Sequence, residues 1–236
     1  MTAAAGAARA LGLTPEQTVH AIAISATANN ALRVTRTGRL SNWKGLAFPN
    51  TAANAVNAAF LAKHGITGPV EVIEGTRGFK RTISGGFDIV WSNQESDKPG
   101  MKDERITSTI VKKFNAEIHS QAALEAVVEL RDGYSIDPDR VERIQAKVFD
   151  VAYDIIGGGE EGDKTSVDTK EEADHSLPYL IAVALIDGEV TPSQFTEERI
   201  HRKDVQQLLR KVEVSADPEY SNMGAWTTDS ETEYST

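Results

Sequence analysis

Residues 173–195 read ADHSLPYLIAVALIDGEVTPSQF, and within them LPYLIAVALIDG (177–188) is the longest apolar stretch of the chain. It is too short to cross a bilayer, which takes about 20 apolar residues, so it predicts a buried helix. Asp174 or Ser176 supplies its cap, His175 lies at its mouth, and Tyr179 stands one turn in. Gly188 follows its last apolar turn, and Thr191-Pro192 signals a new helical start. A helix of this kind needs partners on several sides, and the flanking sequence offers both helices and strands.

Working outward, VERIQAKVFDVAY (141–153) alternates as a strand does, and KVEVSAD (211–217) follows a short helix predicted near 203–209. Between them the Gly- and acid-rich IGGGEEGDKTSVDTKEE (156–172) reads as a mobile loop. Residues 119–132 predict another helix. Further upstream, PVEVIEG (69–75) and RITSTIVKKF (105–114) have the β-branched content of strands, and RGFKRTISGG (77–86) is turn-rich. Residues 68–216 therefore read as an α/β domain, and residues 217–236, without periodicity, as a disordered tail.

The first 67 residues are different in texture. An Ala-rich helix stops at LGL (11–13), and Thr14-Pro15-Glu16-Gln17 combines a cap residue, Pro at the first helical position and Gln three residues after the cap. Val19, Ile22, Ala23 and Ala26 mark one face of the next helix. After the polar break RTGRLSNWKGLAFPN (36–50), a small-residue helix is predicted from Asn50 to His64, ending at Gly65. Residues 1–67 read as part of an all-helical domain, and the fold class is α+β.

Composition narrows the function classes. The 236 residues carry 25 basic and 35 acidic side chains, a formal net charge of −10. That excess argues against a general nucleic-acid or anionic-membrane binder, and suits a surface that stays hydrated in a salt-rich cytoplasm. With no Cys there is no disulfide framework, thiolate nucleophile or Cys-ligated metal. The N-terminus lacks the charged start and long apolar core of a secretory signal. A cytoplasmic location is the expectation.

Chemistry must then come from few groups. The histidines are 20, 64, 119, 175 and 201; none stands at helical metal-pair spacing from another, and HExxH, GxSxG and GxxxxGK[ST] are absent. Metal and nucleophile options are therefore thin. Lys112, Lys113, Glu117 and His119 cluster in IVKKFNAEIHSQAALEAV (110–127), read either as a solvated strand end running into a helix or as a charged site. Lys44 sits in a Trp-Lys-Gly turn. Lysines so placed can hold carboxylates as point charges, or transfer protons once burial lowers their pKa; the competing reading of each is solvent exposure. His119 and His175 are acid–base candidates at helix starts.

Four segments together resemble the MmgE/PrpD family: LGLTPEQTVHAIAISAT (11–27), WKGLAFPNTAANAVNAAFLAKHGITGP (43–69), FNAEIHSQAALEAV (114–127) and ADHSLPYLIAVALIDGEVTPSQF (173–195). The family includes 2-methylcitrate dehydratases of propionate metabolism and cis-aconitate decarboxylases. The resemblance implies a helical domain and a smaller α/β domain flanking a cleft, often in a homodimer, with small tricarboxylate substrates and no cofactor. It implies catalytic roles for Lys112, Glu117, His119 and Tyr153, and substrate binding by Lys44, Lys113, Gln121 and His175; Lys112 and Lys113 are interchangeable in register. Against the family pattern the chain reads as shortened at both ends. The expected reaction is dehydration of 2-methylcitrate; the alternative expectation is an inactive or partner-dependent remnant lacking the family's upstream catalytic segment, with a partner chain supplying the missing helices in place of a homodimer.

Overall fold

The structure, a computed structural model, describes residues 1–30, 32–87 and 109–222. The chain divides into two compact units: Met1–Thr35 with Gly45–Ile110, and Arg36–Lys44 with Val111–Thr236.

In the first unit α1 spans Thr2–Ala10, α2 Pro15–Ala28 and α3 Trp43–Lys63, the last contributing to this unit from Gly45 onward. Their common core is almost entirely alanine: Ala8, Ala21, Ala59 and Ala62 are buried, with Leu11 and Leu13 against them. Small side chains let the helix backbones approach closely, which is how a chain poor in large apolar groups builds a core. Of the face marked by Val19, Ile22, Ala23 and Ala26, Ala23 and Ala26 are buried while Val19 is 61% exposed. The capping box at Thr14 forms as expected, with Gln17 N donating to Thr14 Oγ1 at 3.2 Å and Thr14 N to Gln17 Oε1 at 3.1 Å.

Helices α1 and α3 stop at left-handed glycines. At Gly65 (φ 87°), Gly65 N bonds Ala62 O and Ile66 N bonds Leu61 O, the paired arrangement that satisfies the last carbonyls. The start of α3 differs from the sequence reading: the helix begins at Trp43, within the supposed break, and runs through Pro49. The proline lacks the N–H that would bond the Gly45 carbonyl, a local cost the continuing helix absorbs.

Residues 70–75, read as a strand, form turns. Glu71 adopts φ 57°, and Phe79 N and Lys80 N reach back to Val72 O and Ile73 O. The segment thus bonds main chain within its own neighbourhood, and among the described residues it pairs with no strand. The turn-rich stretch that follows includes a π-helical turn, Lys80–Ser84. These residues group with the helices by contact. Of the second supposed upstream strand, residues 109–114 are irregular; the rest lies outside the described residues.

The second unit holds α4 (Gln121–Tyr134), β1 (Ile144–Val148), α5 (Asp150–Ala152), α6 (Lys170–Ala173), α7 (Leu177–Asp187), α8 (Glu197–Ile200), α9 (Lys203–Leu209) and β2 (Val212–Ala216). The strands pair in parallel, Ile144 opposite Val212 through Val148 opposite Ala216, so the intervening chain crosses over one face. Helix α7, formed by the longest apolar stretch, is its hub: Leu177 through Leu185 are all buried. Leu177 and Ile181 meet Val148, Ile156 and Val212 of the sheet side, while Leu180 and Val183 join Leu124, Phe195, Val205 and Leu209. A helix apolar all round is enclosed all round. At its C-terminus Gly188 turns with φ 76°, and Arg131 Nε donates to Leu185 O at 3.0 Å. Of the supposed disordered tail, 218–222 form a helical turn; residues beyond 222 lie outside the description.

Candidate functional site

The turn between α6 and α7 presents Asp174 and His175. Ser176 caps α7, accepting from Tyr179 N at 3.1 Å while donating to Lys164 O at 2.5 Å. Thr169 and Glu172 close a capping box on α6. With Asp174 N on Lys170 O and His175 N on Glu172 O, the two residues are fixed in the connection.

Lys44, grouped with this same unit, reaches the turn. Its Nζ lies 2.7 Å from His175 Nδ1 and 2.5 Å from Nε2, and 3.7 Å from Asp174 Oδ1. His175 Nδ1 is hydrogen-bonded to Asp174 Oδ1, and Lys170 Nζ donates to Asp174 Oδ2 at 2.6 Å. Because the carboxylate takes the Nδ1 proton, Nε2 is the nitrogen left to accept from Lys44. All three side chains are shielded: Lys44 15%, Asp174 14% and His175 19% exposed.

Burial pushes the Lys44 ammonium below the usual lysine range, assisted by the charges of Lys170 and Arg36 and opposed by Asp174. For Asp174 burial acts upward, yet hydrogen bonds from His175 and Lys170 and the Lys44 charge hold it below the usual carboxylate value.

A second group lies next to it along the backbone. Glu117 N donates to Asp174 O at 3.2 Å. The Glu117 carboxylate accepts from His119 N at 2.6 Å, with His119 Nε2 at 3.8 Å from its other oxygen. The His119 ring meets Phe149 edge-on, centroids 5.2 Å apart. Thus Lys44 with His175, and Glu117 with His119, form two pairs stitched by one main-chain bond.

The other sequence-predicted positions make contacts of their own. Lys112 Nζ donates to Ala116 O at 2.7 Å, curling over the 112–116 loop. Lys113 faces away to Glu125, 2.6 Å from Oε1. Gln121 holds the loop, accepting from Phe114 N at 2.9 Å and donating toward Phe114 O and Glu117 O at 3.2 and 3.3 Å. Tyr153 packs with the sheet-side core, and its N–H bonds Phe149 O.

Asp174 was legible only as a cap; its i,i+4 relation to Lys170 was the signal for more. Arg39, Glu172 and Lys164 were not singled out. Arg39 Nε donates to Glu172 Oε1 at 3.2 Å, beside a cavity of about 430 Å³ lined also by Asp163, Lys164 and Ser176. Lys164 is buried there, and burial lowers its pKa against the pull of Glu161, Asp163 and Glu172. Among the described residues no group of three or more His, Asp or Glu is arranged to hold a metal ion, and no helix is long and apolar enough to cross a membrane.

A helical unit and a parallel strand pair packed on a buried helix define an α+β protein. The chain belongs to the MmgE/PrpD family: the MmgE/PrpD N-terminal domain matches residues 1–92 and the C-terminal domain residues 114–233. Among similar proteins, the cis-aconitate decarboxylase of Mus musculus is 26% identical over 231 residues, covering 92% of this chain and 43% of that protein. A probable 2-methylcitrate dehydratase of Saccharomyces cerevisiae is 26% identical, covering 86% and 39%. The 2-methylcitrate dehydratase of Salmonella typhimurium is 24% identical, covering 91% and 43%. The chain spans about two-fifths of the length of these relatives.

Proposed function

We propose that this chain carries substrate-binding and proton-transfer residues of a cofactor-independent lyase for a small tricarboxylate, the reaction being dehydration of 2-methylcitrate, with cis-aconitate decarboxylation as the nearest variant. The observation that carries the reading is the meeting of Lys44 and His175 next to the Glu117–His119 pair. The names of the relatives point to the same substrates.

Carboxylates of the substrate bind to Lys44 and Lys112, and Glu117 and His119 serve acid–base steps. Dehydration takes a proton from the carbon beside a carboxylate and hydroxide from its neighbour. The product is a conjugated carboxylate that absorbs in the ultraviolet where the substrate does not. Absorbance of the purified chain with 2-methylcitrate tests the activity, and absence of product from folded protein counts against it. Lys44→Ala and Lys112→Ala are each expected to weaken binding of citrate-like anions in calorimetric titration. Unchanged affinity in both variants would remove this site.

A second reading is a chain that works only with a partner. It is favoured by the exposed apolar side chains of α3, with Leu46 at 54%, Val56 at 43% and Phe60 at 43% exposure. Sedimentation of the chain separates the two: a self-sufficient homodimer supports the first, an inactive monomer the second.

A further inference from the structure

We propose that Arg39 and Glu172 form a clasp that sets Lys44 against the Asp174–His175 turn, which makes them positioning residues of the candidate site. The inference rests on the lyase reading above and deepens it: there Lys44 binds a substrate carboxylate, and here the clasp holds Lys44 where it can do so.

Glu172 is the centre of the arrangement. Its Oε2 accepts from Asp168 N at 3.0 Å and from Thr169 N at 3.1 Å, closing the capping box of α6. Its main-chain carbonyl accepts from His175 N at 3.2 Å. One residue therefore fixes the turn that presents Asp174 and His175. The other carboxylate oxygen, Oε1, accepts from Arg39 Nε at 3.2 Å.

Arg39 belongs to the short run that carries Lys44. Residues 36–44 group with the second unit, whereas the residues before and after them group with the first. Within this run Leu40 is buried, and apolar burial anchors without direction. Arg39 adds the direction, because its guanidinium presents its donors in a rigid plane. Lys44 Nζ stands 3.7 Å from Asp174 Oδ1. Two ion pairs, Arg39 with Glu172 and Lys44 with Asp174, thus tie the same run to the end of α6.

The Glu172 side chain is 13% exposed and that of Arg39 80%. Burial raises the Glu172 pKa, but bonds from Asp168 N, Thr169 N and Arg39 hold it below the usual carboxylate value. It is therefore charged at neutral pH and able to hold the guanidinium. A pair with one partner so exposed adds little to folding; its effect is on where Lys44 sits.

The first test reads the position of Lys44 without substrate. The full chain is labelled with N-hydroxysuccinimidyl acetate, and the rate at each lysine is read by mass spectrometry against exposed Lys63. Lys44, whose side chain is 15% exposed, is expected to label about two- to fivefold faster in Arg39→Ala. Glu172→Gln should act alike, because glutamine keeps the cap acceptor and loses the charge that pairs with Arg39. Arg39→Lys should restore most of the protection. Unchanged Lys44 rates in Arg39→Ala and Glu172→Gln would overturn the clasp. So would an equal rise at Lys211, whose Nζ donates to Val141 O at 2.6 Å, because it would mark general loosening.

The second test is calorimetric titration with citrate. Arg39→Ala is expected to weaken binding about two- to fivefold and to add no loss in a chain that already carries Lys44→Ala. A further loss in that background would make Arg39 a direct contact and overturn its positioning role, as would weakening by Lys44→Ala but not by Arg39→Ala. Faster Lys44 labelling with citrate affinity unchanged in both single variants would overturn the carboxylate-binding role of Lys44 and leave the clasp alone standing.

Discussion

Gln121 occupies a position where its amide is engaged with main chain: it accepts from Phe114 N and donates toward the carbonyls of Phe114, Ala116 and Glu117. Its contribution to the site is the shape of the 114–117 loop, and through that the position of Glu117 and His119. Gln121→Ala strands the N–H of buried Phe114, so a loss of about 1–3 kcal/mol is expected, read as a lower urea midpoint. Gln121→Glu keeps the acceptor but loses the donors, and should fall between. Lys113, by contrast, is bound to Glu125 at a site where both side chains are substantially exposed. Such a pair contributes little, and Lys113→Ala is not expected to disturb the fold.

The helices of the first unit depend on close approach. At Gly68 an added Cβ would sit 2.7 Å from Ala23 Cβ and 2.9 Å from both His20 O and Ile24 N of α2. Backbone cannot yield as a flexible side-chain tip does, so Gly68→Ala should destabilise by about 1–3 kcal/mol. Thermal unfolding measures this, and an unchanged Tm would show that the 68–69 connection moves freely. In the second unit, the order of elements along the chain placed α7 between strands, but its two-sided packing came from its composition. A helix carrying Leu177 and Ile181 toward one cluster and Leu180 and Val183 toward another leaves no polar face.

Acid should unfold the protein through its paired carboxylates. Asp187 faces Arg199, whose Nη2 donates to Oδ1 at 2.7 Å, with Gln194 Nε2 at 3.0 Å from Oδ2. Burial raises the Asp187 pKa, but Arg199 and Gln194 together bring it below the usual value. A carboxyl that is more acidic folded than unfolded stabilises above the unfolded pKa, about 3.9. That stability is lost as pH falls through the lower folded value. Asp174 and Asp217 are shifted in the same direction. Tm should therefore fall steeply below about pH 4. Asp187→Asn should lower Tm at neutral pH and flatten this acid limb; an unaltered limb would assign the acid sensitivity elsewhere.

Local chemistry made much of this protein readable without coordinates. Thr14-Pro15-Glu16-Gln17, Gly65, Ser176 and Gly188 satisfy or terminate their own helices through neighbours a few residues away, so their roles depend on short-range hydrogen bonding alone. The enclosure of 177–188 follows from composition in the same way. The family, too, was legible, because four motifs recur in order. What needed the fold was every pairing across long separations in sequence. Strand content at 69–75 promised an edge that only a partner strand could provide, and the backbone turned on itself instead. Lys44 and His175 stand 131 residues apart, and Glu117 meets Asp174 through main chain that no side-chain pattern encodes. Such contacts arise where separately formed elements pack, so the properties of Lys44 and Asp174 are set by burial and neighbours the linear chain does not display.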